Sequence, residues 1–234
     1  MPVGDDQEAF RREAARRGLD LTPQVKVEWL SGKGHLEAAA QGAPKQALER
    51  LAALHSALGG DPQALAAKRR MSAAADFALA GGRVLVEFDE FQHFSSARLR
   101  SLDVYDGSGA TLDVARYRGL CLRNLAKADS YRTAKETPDF HFPGGRTAQR
   151  AYLDTVRDLL APAFGHVLLR VPFIGISVPA AVDDLERQLA AAEAAHYGDP
   201  EAIRLLEHAL ASAREGRVAP LRLRTEGTEG PDAG

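Results

Sequence analysis

The segment AAADFALAGGRVLVEFDEFQHF, residues 73–94, contains two apolar, strand-like runs that meet at a pair of glycines. Val, Leu and Phe dominate its second half, yet the segment also carries Asp76, Glu87 and Asp89. A half-buried strand gains little from carboxylates unless something binds them. The fold class and the function therefore both depend on what these three side chains face.

Gly81 and Gly82 predict a two-residue hairpin turn between the two strands. Such a turn fixes the register and places Asp76 directly opposite Glu87. Strand alternation puts Glu87 and Asp89 on one face of the sheet, so three carboxylates gather there. Because directly opposed like charges destabilise a sheet, a compensating positive charge is expected.

A divalent cation would supply this charge, since Mg²⁺ is usually held by one or two carboxylates, waters and substrate phosphates. A metal held in this way can activate water and stabilise a leaving oxygen in phosphodiester cleavage. Two alternatives need no metal. The acidic hairpin could face solvent, or the carboxylates could pair with Arg69, Arg70 or Arg98.

The residues around the hairpin predict an α/β protein, with one further strand before it and one after it. The predicted strands are 24–30 and 166–174, and the predicted helices are 5–17, 44–60, 61–70, 95–105, 111–132, 147–162, 178–197 and 199–216. This order divides the chain into an N-terminal helix and strand extension (1–60), an α/β core (61–176), a C-terminal αα-hairpin (177–216) and a tail expected to be flexible (217–234).

Composition and charge restrict the class of protein. The chain has 234 residues, 45% of them apolar, and a single cysteine, Cys121, which excludes an intramolecular disulfide framework and favours a reducing cytoplasm. The start is charged from residue 5 onward and lacks the apolar region of a signal peptide, so export is not expected. No run of about 18 apolar residues occurs, so no membrane span is expected. The formal charge is -2, but residues 60–173 carry 16 basic and 13 acidic side chains. This central excess permits a polyanionic partner without requiring one.

The order of motifs resembles the PD-(D/E)XK nuclease superfamily, in particular the branch of very-short-patch repair endonucleases and related uncharacterised bacterial proteins. The matching features are Asp76 with Phe77 in one strand, Glu87 and Asp89 in the next, and His93 just beyond. The resemblance covers about residues 68–105. It implies a restriction-endonuclease-like mixed sheet flanked by helices, with extra helices at both ends.

The resemblance also implies a metal-dependent endonuclease acting on nucleic acid, with DNA as the expected substrate, in repair or defence. Asp76 and Glu87 would bind Mg²⁺ or Mn²⁺. Asp89 stands where the superfamily usually has a lysine, and it would assist catalysis together with His93. His93 would serve as general base or acid, because its ordinary pKa is near the working pH. Alternatively, His93 closes the strand end by hydrogen bonding to a carboxylate.

Several basic residues are candidates for contact with the nucleic-acid backbone. Three end the helix before the hairpin, one follows His93, and two begin a helix after Gly144 and Gly145, where free N–H groups favour anions. These residues are Lys68, Arg69, Arg70, Arg98, Arg146 and Arg150. Dipole complementation, pairing with the acids and a solvated helix face are the ordinary alternatives.

Two other functions stay open. The first is a nuclease-fold module without catalytic activity that binds nucleic acid or protein. The second is a helical interaction protein, in which the Leu and Ala stripe of the C-terminal αα-hairpin forms a homodimer.

Overall fold

Four strands form one mixed sheet in the part of the chain that the computed structural model describes, residues 4–131 and 133–195. The strands are β1 (Thr22–Ser31), β2 (Ser72–Leu79), β3 (Val84–Asp89) and β4 (Val167–Pro172). They lie in the order β1-β2-β3-β4; β1, β2 and β3 are antiparallel neighbours, and β4 runs parallel to β3. The predicted α/β class with a mixed sheet is therefore confirmed.

The β2–β3 hairpin has the register that its glycines predict. Phe77 lies opposite Val86 in the ladder. Gly81 and Gly82 have φ values of 64° and 96°, in the left-handed region that glycine adopts without steric cost. The predicted register is therefore confirmed for the three pairs from Phe77–Val86 to Leu79–Val84, whereas the predicted pair of Asp76 with Glu87 is not part of the ladder.

Helices precede and follow the hairpin close to the ranges that the sequence predicts. Their bounds are α1 (Asp5–Arg16), α2 (His35–Ala40), α3 (Lys45–Ala57), α4 (Pro62–Ala67), α5 (Ser96–Ser101), α6 (Val114–Ser130), α7 (Gly145–Leu160) and α8 (Val178–Ala195). The Asp61 side chain accepts hydrogen bonds from the N–H groups of Gln63 and Ala64, and Pro62 is the first helical residue of α4. Only the short helix α2 was not indicated by the sequence.

The helices cover both faces of the sheet. Helices α1 and α8 pack on one face, the α8 face, against Val84, Val86 and Phe88. The opposite face, the α7 face, contacts the core that contains Leu85 and Tyr152. Strand β3 therefore sends Val84, Val86 and Phe88 to the α8 face, and Leu85 and its two carboxylates to the α7 face, as alternation predicts.

The predicted boundary at residue 60 does not coincide with a break in the fold. Strand β1 pairs with β2, and Leu51 and Leu54 of α3 belong to the same core as Leu85. The segment 1–60 therefore contributes a strand and helices to the sheet layer. Helix α8 corresponds to the first helix of the predicted C-terminal αα-hairpin, whereas its second helix and the tail lie outside the described residues. Dimerisation through that hairpin stays a prediction.

The structure bears on two points raised by the composition, a membrane span and the single cysteine. Within residues 4–131 and 133–195, no helix is long and apolar enough to cross a membrane. Cys121 is buried in α6, and burial raises its pKa to about 11. The thiol is therefore not a reactive nucleophile at neutral pH.

Candidate functional site

Asp76 and Glu87 lie near each other at the open end of the β2–β3 hairpin. The ladder ends at the Phe77–Val86 pair, and beyond it the Asp76 carboxylate accepts a hydrogen bond of 2.9 Å from the backbone N–H of Phe88. The predicted pair of Asp76 with Glu87 is not part of the ladder, but the hydrogen bond to Phe88 holds Asp76 beside Glu87, and burial and the negative charge of Asp76 both raise the pKa of Glu87. Burial raises the pKa of Asp76, and the nearby Asp89 raises it further, whereas the N–H of Phe88 lowers it.

Glu87 is a buried carboxylate without a hydrogen bond on one of its oxygens. The residue is 4% exposed, and its Oε1 atom lies 3.3 Å from Nε of Arg157 in α7. Neither of these two atoms makes a hydrogen bond. Burial raises the pKa of Glu87 to about 8, although Arg157 acts in the opposite direction. The metal-free protein therefore holds a proton on Glu87 at neutral pH.

Asp89 is saturated by other side chains. It is 1% exposed, and Nη1 of Arg170 donates to its two oxygens at 2.9 and 3.0 Å. The hydroxyl of Tyr117 donates a third hydrogen bond of 2.8 Å. The expectation that Asp89 assists catalysis is therefore corrected, because its oxygens bind a guanidinium and a phenol in the core. The cation that neutralises it is Arg170, not Arg69, Arg70 or Arg98.

The Asp89–Arg170 pair is part of a larger buried network. Nε of Arg170 donates to Asp158 at 2.6 Å, and Asp158 also accepts a hydrogen bond of 2.7 Å from Arg98. Burial raises the pKa of Asp158, but Arg170 and Arg98 outweigh this effect and lower it overall. Arg98 is 1% exposed and also donates to Tyr105. The expected phosphate contact of Arg98 is therefore wrong, because its charge is enclosed by the protein.

His93 lies at the edge of this network, beside the hairpin carboxylates. Its Nδ1 atom is 2.8 Å from Oδ2 of Asp154 and 3.4 Å from Oδ1 of Asp89, and its side chain is 18% exposed. Burial lowers the pKa of His93, but the two carboxylates outweigh burial and raise it overall. The sequence suggested two roles for His93, proton transfer or a hydrogen bond to a carboxylate at the strand end. The observed contact with Asp154 is of the second kind.

Two of the three basic residues that follow α4 pair with acids outside the hairpin. Nζ of Lys68 lies 3.0 Å from the fully buried Asp139, whose charge it neutralises. Nε of Arg70 pairs with Glu37 at 2.9 Å. Arg69 is exposed. Lys68 thus has a structural role, and a phosphate contact by Arg69 or Arg70 stays a prediction.

The start of α7 does not offer the free N–H groups that the sequence suggested. The N–H groups of Gly144, Gly145 and Arg146 donate to loop carbonyls at 2.6, 2.8 and 3.0 Å, and that of Thr147 donates to Gly144 at 2.9 Å. The expected anion site at this helix end is therefore wrong. Of the two arginines, Arg146 binds Gln149 within its own helix, whereas Arg150 donates to the backbone carbonyl of Gln92, next to His93.

Several residues of the site were not identified from the sequence. They lie on α7 and β4 or face them, and they are Tyr117, Asp154, Arg157, Asp158 and Arg170. A signal for them exists, because a charged residue interrupts the apolar run HVLLRVPFI. Asp154, Arg157 and Asp158 likewise share one face of α7, at the spacing of three and four residues that brings helical side chains together.

Neither similarity to a known protein nor a group of three metal-binding side chains identifies this site among the described residues. No protein-family model, no curated protein and no solved structure matches this chain. Among the described residues, no three His, Cys, Asp or Glu side chains are placed to hold a metal ion together. Asp76 and Glu87 fit a cation of the Mg²⁺ type as a two-carboxylate set, because Oε1 of Glu87 has no hydrogen bond and such ions keep several waters.

Replacing Arg170 tests the importance of the buried network. Arg170→Met leaves Asp89 buried without its cation, so the free energy of unfolding should fall by about 3–5 kcal/mol in urea denaturation. The matched control is Arg118→Met, which breaks an exposed pair with Asp103 and should cost less than about 1 kcal/mol. Equal losses in the two variants would contradict the network.

The pH dependence of stability tests the environment of Glu87. The folded protein binds the Glu87 proton up to about pH 8, whereas an unfolded chain releases it near 4.5. The free energy of unfolding should therefore fall as pH rises from about 5 to about 8. Glu87→Gln should flatten this slope, and the exposed control Glu49→Gln should not. His93 contributes a slope of the same sign to all three proteins, so the comparison between them isolates Glu87.

Urea denaturation in EDTA at several pH values measures both slopes. If wild type and Glu87→Gln lose stability in parallel, the raised pKa of Glu87 is refuted.

Proposed function

We propose that this protein is a nuclease that depends on a divalent metal ion, with its site on the α7 face of the β2–β3 hairpin. The observation that carries this proposal is the proximity of Asp76 to Glu87 at the end of the hairpin, where Asp76 accepts a hydrogen bond from the N–H of Phe88. Two neighbouring carboxylates are unfavourable without a shared positive charge. In the absence of metal, a proton on Glu87 and the charge of Arg157 relieve the repulsion, and a metal ion would take the place of that proton.

The restriction-endonuclease-like fold belongs to the same proposal. Three features support it: helices on both faces of a mixed sheet, an Asp in β2 followed by Glu-x-Asp in β3, and a histidine between β3 and the next helix. Each was expected from the motif order. Their combination in one sheet makes the fold consistent with the proposed chemistry.

The roles of the side chains follow from their contacts. Asp76 uses Oδ2 for the N–H of Phe88, which leaves Oδ1 for a ligand, and Glu87 offers Oε1. Mg²⁺ or Mn²⁺ bound there would activate water and stabilise the leaving oxygen. His93, held by Asp154 through Nδ1, is protonated more readily than an ordinary histidine and can donate a proton to the leaving oxygen. Arg150, which donates to the carbonyl of Gln92, would contact the DNA backbone.

A nuclease-fold module without catalytic activity is the second candidate. It is favoured by Asp89, which occupies the usual lysine position and is already bound by Arg170 and Tyr117. In this case the carboxylates would fasten the hairpin to α7 and β4, and the protein would bind nucleic acid or another protein without cleaving it.

A cleavage assay separates the two candidates. Supercoiled plasmid and labelled single-stranded and duplex DNA are incubated with Mg²⁺ or Mn²⁺. Wild type should cleave, and Asp76→Asn and Glu87→Gln should each lose about 100-fold in rate, because each removes a metal ligand. The matched control is Asp20→Asn, an exposed carboxylate beyond α1 that should cleave like wild type.

The alternative outcomes are distinct. Background nicking by all four folded proteins would remove the nuclease proposal, and tight DNA binding without cleavage would support the second candidate. Circular dichroism of each variant establishes that a lost rate does not reflect unfolding.

A further inference from the structure

We infer that Arg157 is a catalytic residue of the proposed site, where it contacts the scissile phosphate and competes with the metal ion for Glu87. This inference rests on the proposed nuclease function and adds a residue that the motif order does not contain. In hydrolysis, the oxygen of water bonds to phosphorus as the bond to the leaving oxygen breaks, and the leaving oxygen gains a proton while the water loses one. The phosphoryl oxygens gain negative charge on the way, so a fixed cation beside them lowers the barrier.

The contact between Arg157 and Glu87 differs from a structural ion pair. Nε of Arg157 is 3.3 Å from Oε1 of Glu87, yet both atoms lack a hydrogen bond although they are buried. By contrast, Arg170 binds both oxygens of Asp89 at 2.9 and 3.0 Å. The first pair thus keeps hydrogen-bonding capacity on both partners, which a phosphate oxygen and a metal ion can use.

The position of Arg157 is fixed independently of Glu87. Its Nη1 donates to the carbonyl of Leu153 at 3.2 Å, one turn earlier in α7, and its side chain is partly exposed. The charge of Arg157 also acts on Asp76. The guanidinium therefore lies beside Glu87, acts on Asp76 through its charge, and keeps its bond to Leu153 if Glu87 turns toward a metal.

The other arginines near the hairpin cannot take this role. Arg170 and Arg98 are buried, and their guanidinium groups bind Asp89 and Asp158. Within the described residues, Arg157 is the arginine whose guanidinium lies within 4 Å of the Glu87 carboxyl group. Asp89 is itself negative and cannot supply positive charge to a phosphate.

Removing the charge of Arg157 should strengthen Mn²⁺ binding and slow cleavage. These two opposite effects distinguish a catalytic role from a structural one. Without Arg157, Asp76 and Glu87 attract a cation more strongly, so Arg157→Met should bind Mn²⁺ several-fold more tightly. The same variant should cleave about 100-fold more slowly at saturating Mn²⁺, because the transition state loses its cation. Arg157→Lys keeps the charge and should stay within about 10-fold of wild type in rate. If Arg157 only neutralised the charge of Glu87, the bound metal ion would take over that role. The loss of Arg157 would then leave the cleavage rate at saturating Mn²⁺ unchanged.

The experiment uses the full chain and two independent readouts. Electron paramagnetic resonance of free Mn²⁺ gives the metal dissociation constant, and single-turnover cleavage of a labelled DNA duplex gives the rate. The matched control is Arg12→Met, an exposed arginine of α1 on the α8 face, which should change neither. Should Arg157→Met fail to fold, Arg157→Gln carries the same expectation.

Tighter Mn²⁺ binding together with slower cleavage would support the inference. If wild type cleaves and the neutral variants cleave equally fast, the inference is overturned while the nuclease function stands. If they lose Mn²⁺ binding and cleavage together, Arg157 only supports the fold of the site, and the inference is again overturned. If wild type neither binds Mn²⁺ nor cleaves, the proposed function itself fails, and this inference fails with it.

Discussion

The buried ion pair between Asp89 and Arg170 determines what the hairpin carboxylates can do. A carboxylate in an apolar core is stable only when it is paired and hydrogen-bonded, and Arg170 satisfies Asp89 with two short contacts. The same guanidinium reaches Asp158 of α7, so it joins strand β3, strand β4 and the helix above them. Because Asp89 is fully engaged, Asp76 and Glu87 are the two hairpin carboxylates that remain for a ligand.

Charge balance within the network explains the behaviour of its histidine. Three buried carboxylates, Asp89, Asp154 and Asp158, are held by two arginines and by His93. Burial lowers the pKa of His93, but Asp154 and Asp89 favour its charged form, which is the physical reason that its pKa is raised overall. Helix α7 is central to this arrangement, since it contributes two of the carboxylates and also Arg157. One helix therefore stabilises the core and shapes the candidate site.

Local sequence patterns correctly predicted the features that are set by residues close together in the chain. The glycine pair defined the turn, the register and the face of the carboxylates, and Asp61 with Pro62 marked the start of α4. The partners of the carboxylates could not be predicted in this way, because Arg170 is 81 residues beyond Asp89 and meets it only through the parallel pairing of β3 and β4. Likewise, the amides at the start of α7 are satisfied by loop carbonyls that no periodicity reveals.

Anomalous diffraction from crystals soaked in Mn²⁺ is the most direct measurement of the division of roles among the three carboxylates. The account predicts a peak between Asp76 and Glu87, with Asp89 still bound to Arg170. An empty hairpin face at saturating Mn²⁺, or an ion held by Asp89 after displacement of Arg170, would contradict it.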